Sequence, residues 1–178
     1  MFRYIKYQII RQVCLFKSNY GKWSFAFIGS FLGILFISLF HSFILKFTSI
    51  DSVMLIGSFG ASAVIVFGTP KSLYASPRHL IVGHIISALV GVLSYKLYGI
   101  IGCLWFCSAV AVSVSTLVML ITQTTHPPGG ATALIAVMGS EKIHQLNYLY
   151  LMTPVLTGVL ILLGTSFVLH WFIRQIRI

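Results

Sequence analysis

The sequence predicts an all-α membrane protein that crosses the bilayer several times. Of the 178 residues, 58% are hydrophobic and only 8% are charged, and the mean hydropathy is +0.98. A soluble domain has about a quarter of its residues charged. Apolar runs of roughly 20 residues, the length of a helix that spans a bilayer, recur along the chain. These observations exclude a soluble domain and predict about six membrane segments.

The six predicted segments follow one another through short connections. Four are long enough to span a bilayer and two, the second and the fifth, are short or broken. The long segments are predicted at 23–45, 80–98, 100–121 and 148–173, and the short ones at 53–67 and 128–139. Trp23, Tyr148 and Trp171 fall near the ends of predicted spans, where amphipathic rings favour the membrane interface.

A basic segment precedes the first span. Residues 1–22 contain five Lys or Arg and no small-residue cleavage site, so we expect an amphipathic segment on the membrane surface rather than a secretory signal. The rest, 23–178, is expected to form one transmembrane domain with repeats at about 23–98 and 99–174. The lack of a clear transit peptide favours a bacterial inner membrane over a plastid.

Lys and Arg determine the expected orientation. Besides the N-terminal segment, they concentrate at Lys71 and Arg78 after the second span and at Arg174 and Arg177 after the sixth. If all six segments cross, these regions share one side, which the positive-inside rule makes cytoplasmic together with both termini. If the fifth segment instead enters and leaves on one side, Arg174 and Arg177 lie outside. The sequence leaves both arrangements open.

The stretch from Thr125 to Leu134 interrupts the fifth segment. Pro127 and Pro128 lack backbone donors and cannot lie inside an ordinary helix, and Gly129-Gly130 let the chain bend before an apolar run. A short helix that begins here would present free N–H groups and the positive end of its dipole inside the membrane. The motif therefore predicts an anion site that needs no buried positive side chain.

A similar pattern occurs twice in the chain. Residues 60–67, GASAVIVF, align with residues 130–137, GATALIAV, and four of the eight positions are identical. Three segments per half is an odd number, so the second half is predicted to be inverted in the membrane. The starts of the two short helices should then face each other at the midplane. Ordinary small-residue helix packing is the alternative explanation.

Residues 126–134, HPPGGATAL, resemble the signature of the HPP family of integral membrane proteins. The stretches 59–64, 67–72 and 77–91 also resemble that family, and the similarity covers about 22–173. Members in chloroplasts and cyanobacteria are known as nitrite transporters. The resemblance therefore implies nitrite as the transported species.

The polar residues also favour an anion over a cation. The two acidic residues, Asp51 and Glu141, fall at predicted span ends, whereas a cation pathway needs carboxylates or rings of carbonyl groups inside the membrane. Ser62 and Thr132 occupy equivalent positions of the repeat. Each is predicted in the first turn of a short helix, where its hydroxyl can donate to an oxyanion. Back-bonding within the helix explains either hydroxyl equally well.

Two histidines are candidates for proton coupling. His84 falls inside the third span and His126 precedes the Pro-Pro break. A titratable group in a membrane helix is a functional hypothesis by default, and the ordinary pKa of histidine permits proton exchange at physiological pH. Helix packing for His84 and a structural hydrogen bond for His126 are the alternatives.

The sequence thus predicts a membrane transporter or channel for a small inorganic anion, with nitrite favoured and proton coupling left open. A structural or regulatory membrane subunit is the alternative. No enzymatic activity, metal or other cofactor is expected, because the acids are too few for a catalytic set. Membrane lipid is the other expected partner, and nucleic acid is not. The sequence leaves the oligomeric state open, with Gly29 and Gly33 on a face of the kind through which small membrane bundles associate. The predicted substrate-binding residues are Phe59, Gly60, Ala61, Ser62, His84, Thr125, His126, Gly129, Gly130, Ala131 and Thr132.

Overall fold

The computed structural model describes the backbone of residues 2–46 and 49–176 and the side chains of residues 21–46, 51–52, 54–173 and 175. Within that part of the chain the α-helices are α1 (Phe2–Leu39), α2 (Ser49–Ala63), α3 (Pro77–Ile101), α4 (Leu104–Ile121), α5 (Pro128–Met138), α6 (Glu141–Leu146) and α7 (Thr157–Ile176). Three π-helical segments adjoin α1, α2 and α7, at Phe40–Leu45, Val64–Gly68 and Leu151–Leu156. The side chains on which the predicted amphipathic character of residues 1–20 depends lie outside the described residues.

The structure confirms an all-helical polytopic membrane protein. Four helical segments of the described chain are long and apolar enough to cross a membrane, at Gly21–Leu45, Pro77–Ile101, Leu104–Ile121 and Leu151–Ile173. They correspond to the four long segments predicted from the sequence. Two shorter apolar helices, Met54–Gly68 and Pro128–Met138, occupy the positions of the predicted short segments.

Helix α3 begins and ends at local signals. The Oγ of Ser76 accepts the N–H of His79, and Pro77 occupies the first turn. At the other end Gly102 has a φ of 71° and donates its N–H to the carbonyl of Tyr98, a conformation that favours glycine. The predicted start of the fourth span at residue 100 is therefore wrong, since residues 100 and 101 belong to α3.

One end of the helix bundle gathers several basic residues, and we call it the basic end. Lys22, Lys71 and His170 border a common cavity there, although they belong to α1, to the loop after α2 and to α7. His170 also borders a cavity with Pro77, the first residue of α3. The apolar part of α1 and helix α3 therefore begin at this end, where α7 finishes.

The opposite end, which we call the far end, is held together by contacts of the segment after α5. Lys142 donates to the backbone carbonyls of Leu45 and Lys46 beyond α1. The N–H and the hydroxyl of Ser140 both donate to the carboxylate of Asp51 in the first turn of α2. The segment that follows α5 therefore lies against the start of α2 and the end of the first span.

The fifth segment passes from the basic end to the far end. Arg78 donates to the carbonyl of Thr122, directly after α4, at 3.3 Å, whereas Ser140 follows α5 and contacts Asp51. The stretch 123–127 and the 11 residues of α5 connect these two ends, and α5 alone contributes about 16 Å. The described part of the chain thus runs along the bundle six times. The arrangement in which the fifth segment returns to its starting end is wrong.

Helix α2 differs from the half-helix that the repeat predicted. The 15 residues of α2 continue directly into the five of its π-helical extension, since no proline precedes Gly60 to break the helix. Ser62 therefore lies at the end of α2 and not in the first turn of a short helix. Thr132 lies four residues after Pro128, beyond the first turn of α5.

The starts of α2 and α5 do not face each other. Ser58, in the second half of α2, contacts Pro128 at the start of α5, and Asp51 in the first turn of α2 contacts Ser140 beyond the end of α5. The two helices are therefore antiparallel neighbours, with their N-termini at opposite ends of the pair. The predicted midplane site between two facing helix N-termini is wrong for this reason.

Glycines on α1 bring that helix against the rest of the bundle. A Cβ atom at Gly29 would lie 2.2 Å from the ring of Phe67, and one at Gly33 would lie 2.8 Å from the side chain of Leu162. Both glycines are buried, so they serve packing inside the chain. Neither glycine is therefore exposed for contact with a second copy, and self-association stays a prediction.

Candidate functional site

Five polar side chains lie buried between α2, α3 and the start of α5, and we call them the central cluster. The members are Ser58, Ser62, His84, His126 and Thr132, and none is more than 3% exposed. Buried polar atoms in an apolar surrounding need hydrogen-bond partners, because an unpaired donor or acceptor costs free energy. In the central cluster these partners are mainly the other members.

Ser62 connects the two histidines. Its Oγ lies 2.9 Å from Nε2 of His84 and 3.0 Å from Nε2 of His126, and the two ring centroids are 4.9 Å apart. On the other side of His84, Nδ1 lies 2.7 Å from the Oγ1 of Thr132. The Oγ of Ser58 lies 2.9 Å from the same Thr132 atom. Thr132, His84, Ser62 and His126 therefore form one continuous hydrogen-bonded chain, and Ser58 lies beside its start.

Local sequence explains why these side chains converge. Ser58 and Ser62 are four residues apart on α2, so they lie on one face of that helix. His84 follows Gly83 on α3, and a Cβ atom at Gly83 would lie 2.6 Å from the Cβ of His126. The absence of a side chain at Gly83 thus permits the loop that carries His126 to approach α3.

The central cluster is connected toward both ends of the bundle. At the basic end, Nδ1 of His126 lies 3.0 Å from the carbonyl oxygen of Tyr74, in the turn that precedes α3. Toward the far end, the hydroxyl of Tyr150 donates to the carbonyl of Thr132 at 3.0 Å. Tyr150 also borders a cavity of about 120 Å³ together with Lys96 and His144. A short series of contacts therefore links the two ends.

No carboxylate belongs to the central cluster. Asp51 and Glu141, the two acids of the sequence, both lie at the far end of the bundle, where the carboxylate of Asp51 binds Ser140. Among the side chains that the structure describes, no group of three or more His, Cys, Asp or Glu is placed to hold a metal ion. Two imidazoles and three hydroxyls can donate hydrogen bonds to an anion, and the imidazoles can also bind a proton.

The N–H groups at the start of α5 are already used. Gly129 donates to the carbonyl of His126 at 2.8 Å and Gly130 to that of Pro127 at 3.1 Å, while Pro128 has no N–H. The prediction that these N–H groups are free to bind an anion is therefore wrong. Both N–H groups donate within the turn that contains the two prolines.

Four of the eleven predicted site residues meet in the central cluster, namely Ser62, His84, His126 and Thr132. Phe59 lies beside it, with its ring centroid 5.5 Å from that of His84. Gly129 is buried against α3, where a Cβ atom would lie 2.6 Å from the Oγ of Ser87. The remaining predicted residues are partly or fully exposed at the surface of the bundle: Gly60, Ala61, Thr125, Gly130 and Ala131.

Three contributors to the site were not predicted. Ser58 lies one helical turn before Ser62 on the same face of α2, a spacing that is visible in the sequence. The carbonyl of Tyr74 and the hydroxyl of Tyr150 come from segments distant in sequence from the residues they contact. Only the tertiary structure brings these two groups to His126 and Thr132.

Comparison with known proteins relates the chain to a family of membrane proteins. Residues 16–177 match the family described as "HPP, transmembrane region". Two proteins of Dictyostelium discoideum, both named as transmembrane proteins, are similar. One is 45% identical over 151 residues, which cover 83% of this chain and 51% of the relative. The other is 40% identical over 160 residues, which cover 89% of this chain and 50% of the relative. This chain thus spans about half the length of these curated relatives. No solved structure matches it. The chain belongs to the HPP family of transmembrane proteins.

Proposed function

We propose that this protein is a membrane transporter or channel for a small inorganic anion, with nitrite as the leading substrate. The observation that carries the proposal is the central cluster, which places two histidines and three hydroxyls inside an apolar bundle without a carboxylate. Burial of polar groups costs free energy, and ionisable residues inside a membrane bundle mark substrate and proton pathways. Nitrite comes from the resemblance to family members of that activity.

The hydroxyl and imidazole groups of the central cluster are the proposed donors to the anion. Thr132 and Ser58 are favoured because they lie between α2 and α5, the two short apolar helices. Each is at most 3% exposed, so an anion cannot reach these hydroxyls in this conformation. Anion entry then requires α2 and α5 to separate, and the anion replaces hydrogen bonds that these hydroxyls make within the central cluster.

Positive side chains at both ends support an anion path. Lys71 and Arg78 lie at the basic end, near the turn that contacts His126. At the far end, Lys96 borders the cavity above Tyr150, and its Nζ lies 4.1 Å from the centroid of the Tyr148 ring. Burial lowers the pKa of His144 in the same cavity, which favours the neutral form of that ring.

The two halves of the chain are proposed to be inverted repeats around the central cluster. In the first half, α1 runs to the far end, α2 returns to the basic end and α3 runs to the far end again. The second half makes the opposite series through α4, α5 and α7. In this proposal α4, α5 and α7 correspond to α1, α2 and α3. The contacts follow the same correspondence, because α1 packs on α2 and α7 while α4 packs on α5 and α3. This arrangement is common in transporters, whose sites lie between such repeats.

The basic end is proposed to face the cytoplasm. Lys22, Lys71 and Arg78 meet at this end, and the positive-inside rule assigns such an excess to the cytoplasmic side. The start of the first span and the end of the last described span then both lie on the cytoplasmic side. A bacterial inner membrane stays a prediction from the sequence, since the similar curated proteins come from Dictyostelium discoideum.

Nitrite uptake into proteoliposomes that contain the purified chain tests the proposal. We expect saturable uptake, with chloride, nitrate and formate tested as competitors. Thr132→Val keeps the side-chain shape and removes one hydroxyl. Since a hydrogen bond to a charged group contributes about 1.5–3 kcal/mol, the affinity should fall roughly tenfold to hundredfold.

Ser108→Ala is the matched control for this variant. Ser108 is buried on α4, and its Oγ has no hydrogen-bond partner among the described residues, so uptake should be unchanged. Thermal unfolding of each purified variant shows whether it is folded. If the folded wild-type protein carries no nitrite above the level of empty liposomes, the proposal is overturned in favour of a structural or regulatory subunit.

A further inference from the structure

The hydrogen bonds of the central cluster can be assigned one donor at a time. Nδ1 of His126 faces the carbonyl oxygen of Tyr74 at 3.0 Å, and a carbonyl only accepts, so Nδ1 carries a hydrogen. In a neutral imidazole the other nitrogen is then an acceptor. The neighbour of Nε2 is the Oγ of Ser62 at 3.0 Å. The hydroxyl of Ser62 therefore donates to His126.

This first assignment determines the others. The hydroxyl of Ser62 has one hydrogen, which His126 receives, so Nε2 of His84 must donate to Ser62 across 2.9 Å. Nδ1 of a neutral His84 is then an acceptor, and it receives the hydroxyl hydrogen of Thr132 across 2.7 Å. All donors thus point the same way, from Thr132 toward the carbonyl of Tyr74 at the basic end.

A second arrangement of the same atoms accommodates one additional proton. If Nε2 of His126 is also protonated, it donates to Ser62, which then accepts from both histidines. The hydroxyl of Ser62 turns to the carbonyl of Ser58, which lies 3.3 Å away. Every nitrogen of the two rings keeps a partner, so the central cluster is fully paired with and without the proton.

We propose that the central cluster is a proton-binding site that couples proton movement to the anion. His126 holds the proton, and Ser62 is the positioning residue whose hydroxyl turns between His126 and the carbonyl of Ser58. This inference rests on the proposed anion transport and identifies the second transported ion. The two hydrogen-bond arrangements of one serine are the observation that supports it.

The proton reaches His126 through Ser62, in one exchange that leaves the hydrogen of His84 on Nε2. When α2 and α5 separate, a hydronium ion gives one hydrogen to the Oγ of Ser62 and leaves as water. Ser62 releases the hydrogen it already carried to Nε2 of His126, and its new hydroxyl hydrogen turns to the carbonyl of Ser58. One O–H bond and one N–H bond form, and two O–H bonds break. The sum is one added proton, and His126 becomes an imidazolium.

The surroundings of His126 explain why an anion accompanies the proton. The titratable groups around the central cluster are His41 beside Phe59, His79 in the first turn of α3 and Tyr150 before α7, and no carboxylate of the described residues is among them. An isolated imidazolium in an apolar interior is costly. An anion bound at the hydroxyls offsets that charge, so each ligand favours binding of the other.

Nitrogen-15 NMR of the chain in lipid nanodiscs tests the assignment without any transport. Signals of the histidines are identified by loss in His84→Gln and His126→Gln. We expect His84 protonated at Nε2 and His126 at Nδ1, with His126 gaining a second proton on acidification. The reverse tautomers, or protonation of His84 first, would overturn the proposal.

Variants of Ser62 test its positioning role in the same measurement. Ser62→Ala removes the oxygen that accepts from Nε2 of His84, so the single tautomer of His84 should become a mixture, while the carbonyl of Tyr74 keeps His126 protonated at Nδ1. Ser62→Thr restores the hydroxyl and should restore the tautomer of His84, and Ser108→Ala should leave both rings unchanged. An unchanged His84 signal in Ser62→Ala would contradict the role of Ser62.

Proteoliposomes with an imposed pH gradient test the coupling, and empty liposomes correct for diffusion of nitrous acid. If one proton accompanies each nitrite, accumulation should rise about tenfold per unit of inward gradient. Nitrite uptake that ignores the gradient overturns the coupling and leaves anion transport standing. Absence of nitrite uptake, together with the expected tautomers, overturns the anion substrate and supports the proton site.

Discussion

At the scale of single residues, the hydroxyl of Ser62 has a single hydrogen but faces three possible acceptors. One hydroxyl lies within 3.3 Å of two imidazole nitrogens and one backbone carbonyl. It cannot donate to all three at once, so its orientation must follow the charge of the rings. A direct role of Ser62 as anion donor, as its place in the repeat predicts, competes with this internal use of its hydrogen.

Gly91 on α3 is the residue for which we expect the largest loss of stability on a small change. A Cβ atom there would lie 2.6 Å from the carbonyl oxygen of Ala133 and 2.7 Å from the Cβ of Ala136, so α3 and α5 would have to separate. Gly91→Ala should lower the free energy of unfolding by about 1–3 kcal/mol. Thermal unfolding in detergent measures the change.

Gly99 on the same helix provides the control for this prediction. An added Cβ atom there meets nothing within 4 Å, and alanine favours helix over glycine by about 1 kcal/mol. Gly99→Ala should therefore leave stability equal or slightly higher. An equal loss in both variants would show that the close contact of α3 and α5 is not the cause.

At the scale of elements, α5 owes its position to contacts at both of its ends. The hydroxyl of Ser58 donates to the carbonyl of Pro128 at the start of α5 at 3.0 Å. Beyond its end, Ser140 donates twice to Asp51. Both partners belong to α2, so the two short helices are fastened to each other at two levels. Any separation of α2 and α5 during transport must break at least one of these contacts.

Asp51 is expected to stabilise this pair of helices. It is fully buried and accepts two hydrogen bonds from Ser140, and a hydrogen bond to a charged group contributes about 1.5–3 kcal/mol. Asp51→Ala should lower the unfolding temperature clearly. Glu141→Ala removes the other, exposed carboxylate and should change stability by no more than about 0.5 kcal/mol. Equal effects of the two variants would contradict a specific role of Asp51.

At the scale of the whole molecule, the charged residues are distributed unequally between the two ends of the bundle. Six passages place the first and last described spans at the same end, together with Lys71 and Arg78. The two acids are both at the far end. From this asymmetry the positive-inside rule predicts that the basic end faces the cytoplasm.

Labelling of single cysteines tests that orientation. In a protein whose native cysteines are replaced, Lys71→Cys at the basic end should react with an impermeant maleimide only from the cytoplasmic side. Gln145→Cys in the exposed part of α6 should react only from the opposite side. Labelling of both positions from one side would mean that the fifth segment does not cross.

Local properties of the sequence determined the class of the protein and the positions of most of its helices. Apolar runs predicted the four long spans, because the ability of a helix to cross a bilayer depends on its length and composition. Pro128 determined the start of α5 because the missing N–H is a property of the residue itself. His84 was likewise placed inside a span by its apolar neighbours.

The tertiary structure alone decided how these helices use their polar groups. Ser62, His84, His126 and Thr132 lie on separate segments, and which faces meet depends on packing between residues far apart in the chain. The same packing buried Gly29 and Gly33 and set α2 antiparallel to α5. A repeat in sequence predicts similar segments, but the hydrogen bonds depend on the contacts each copy makes, which differ between the two halves.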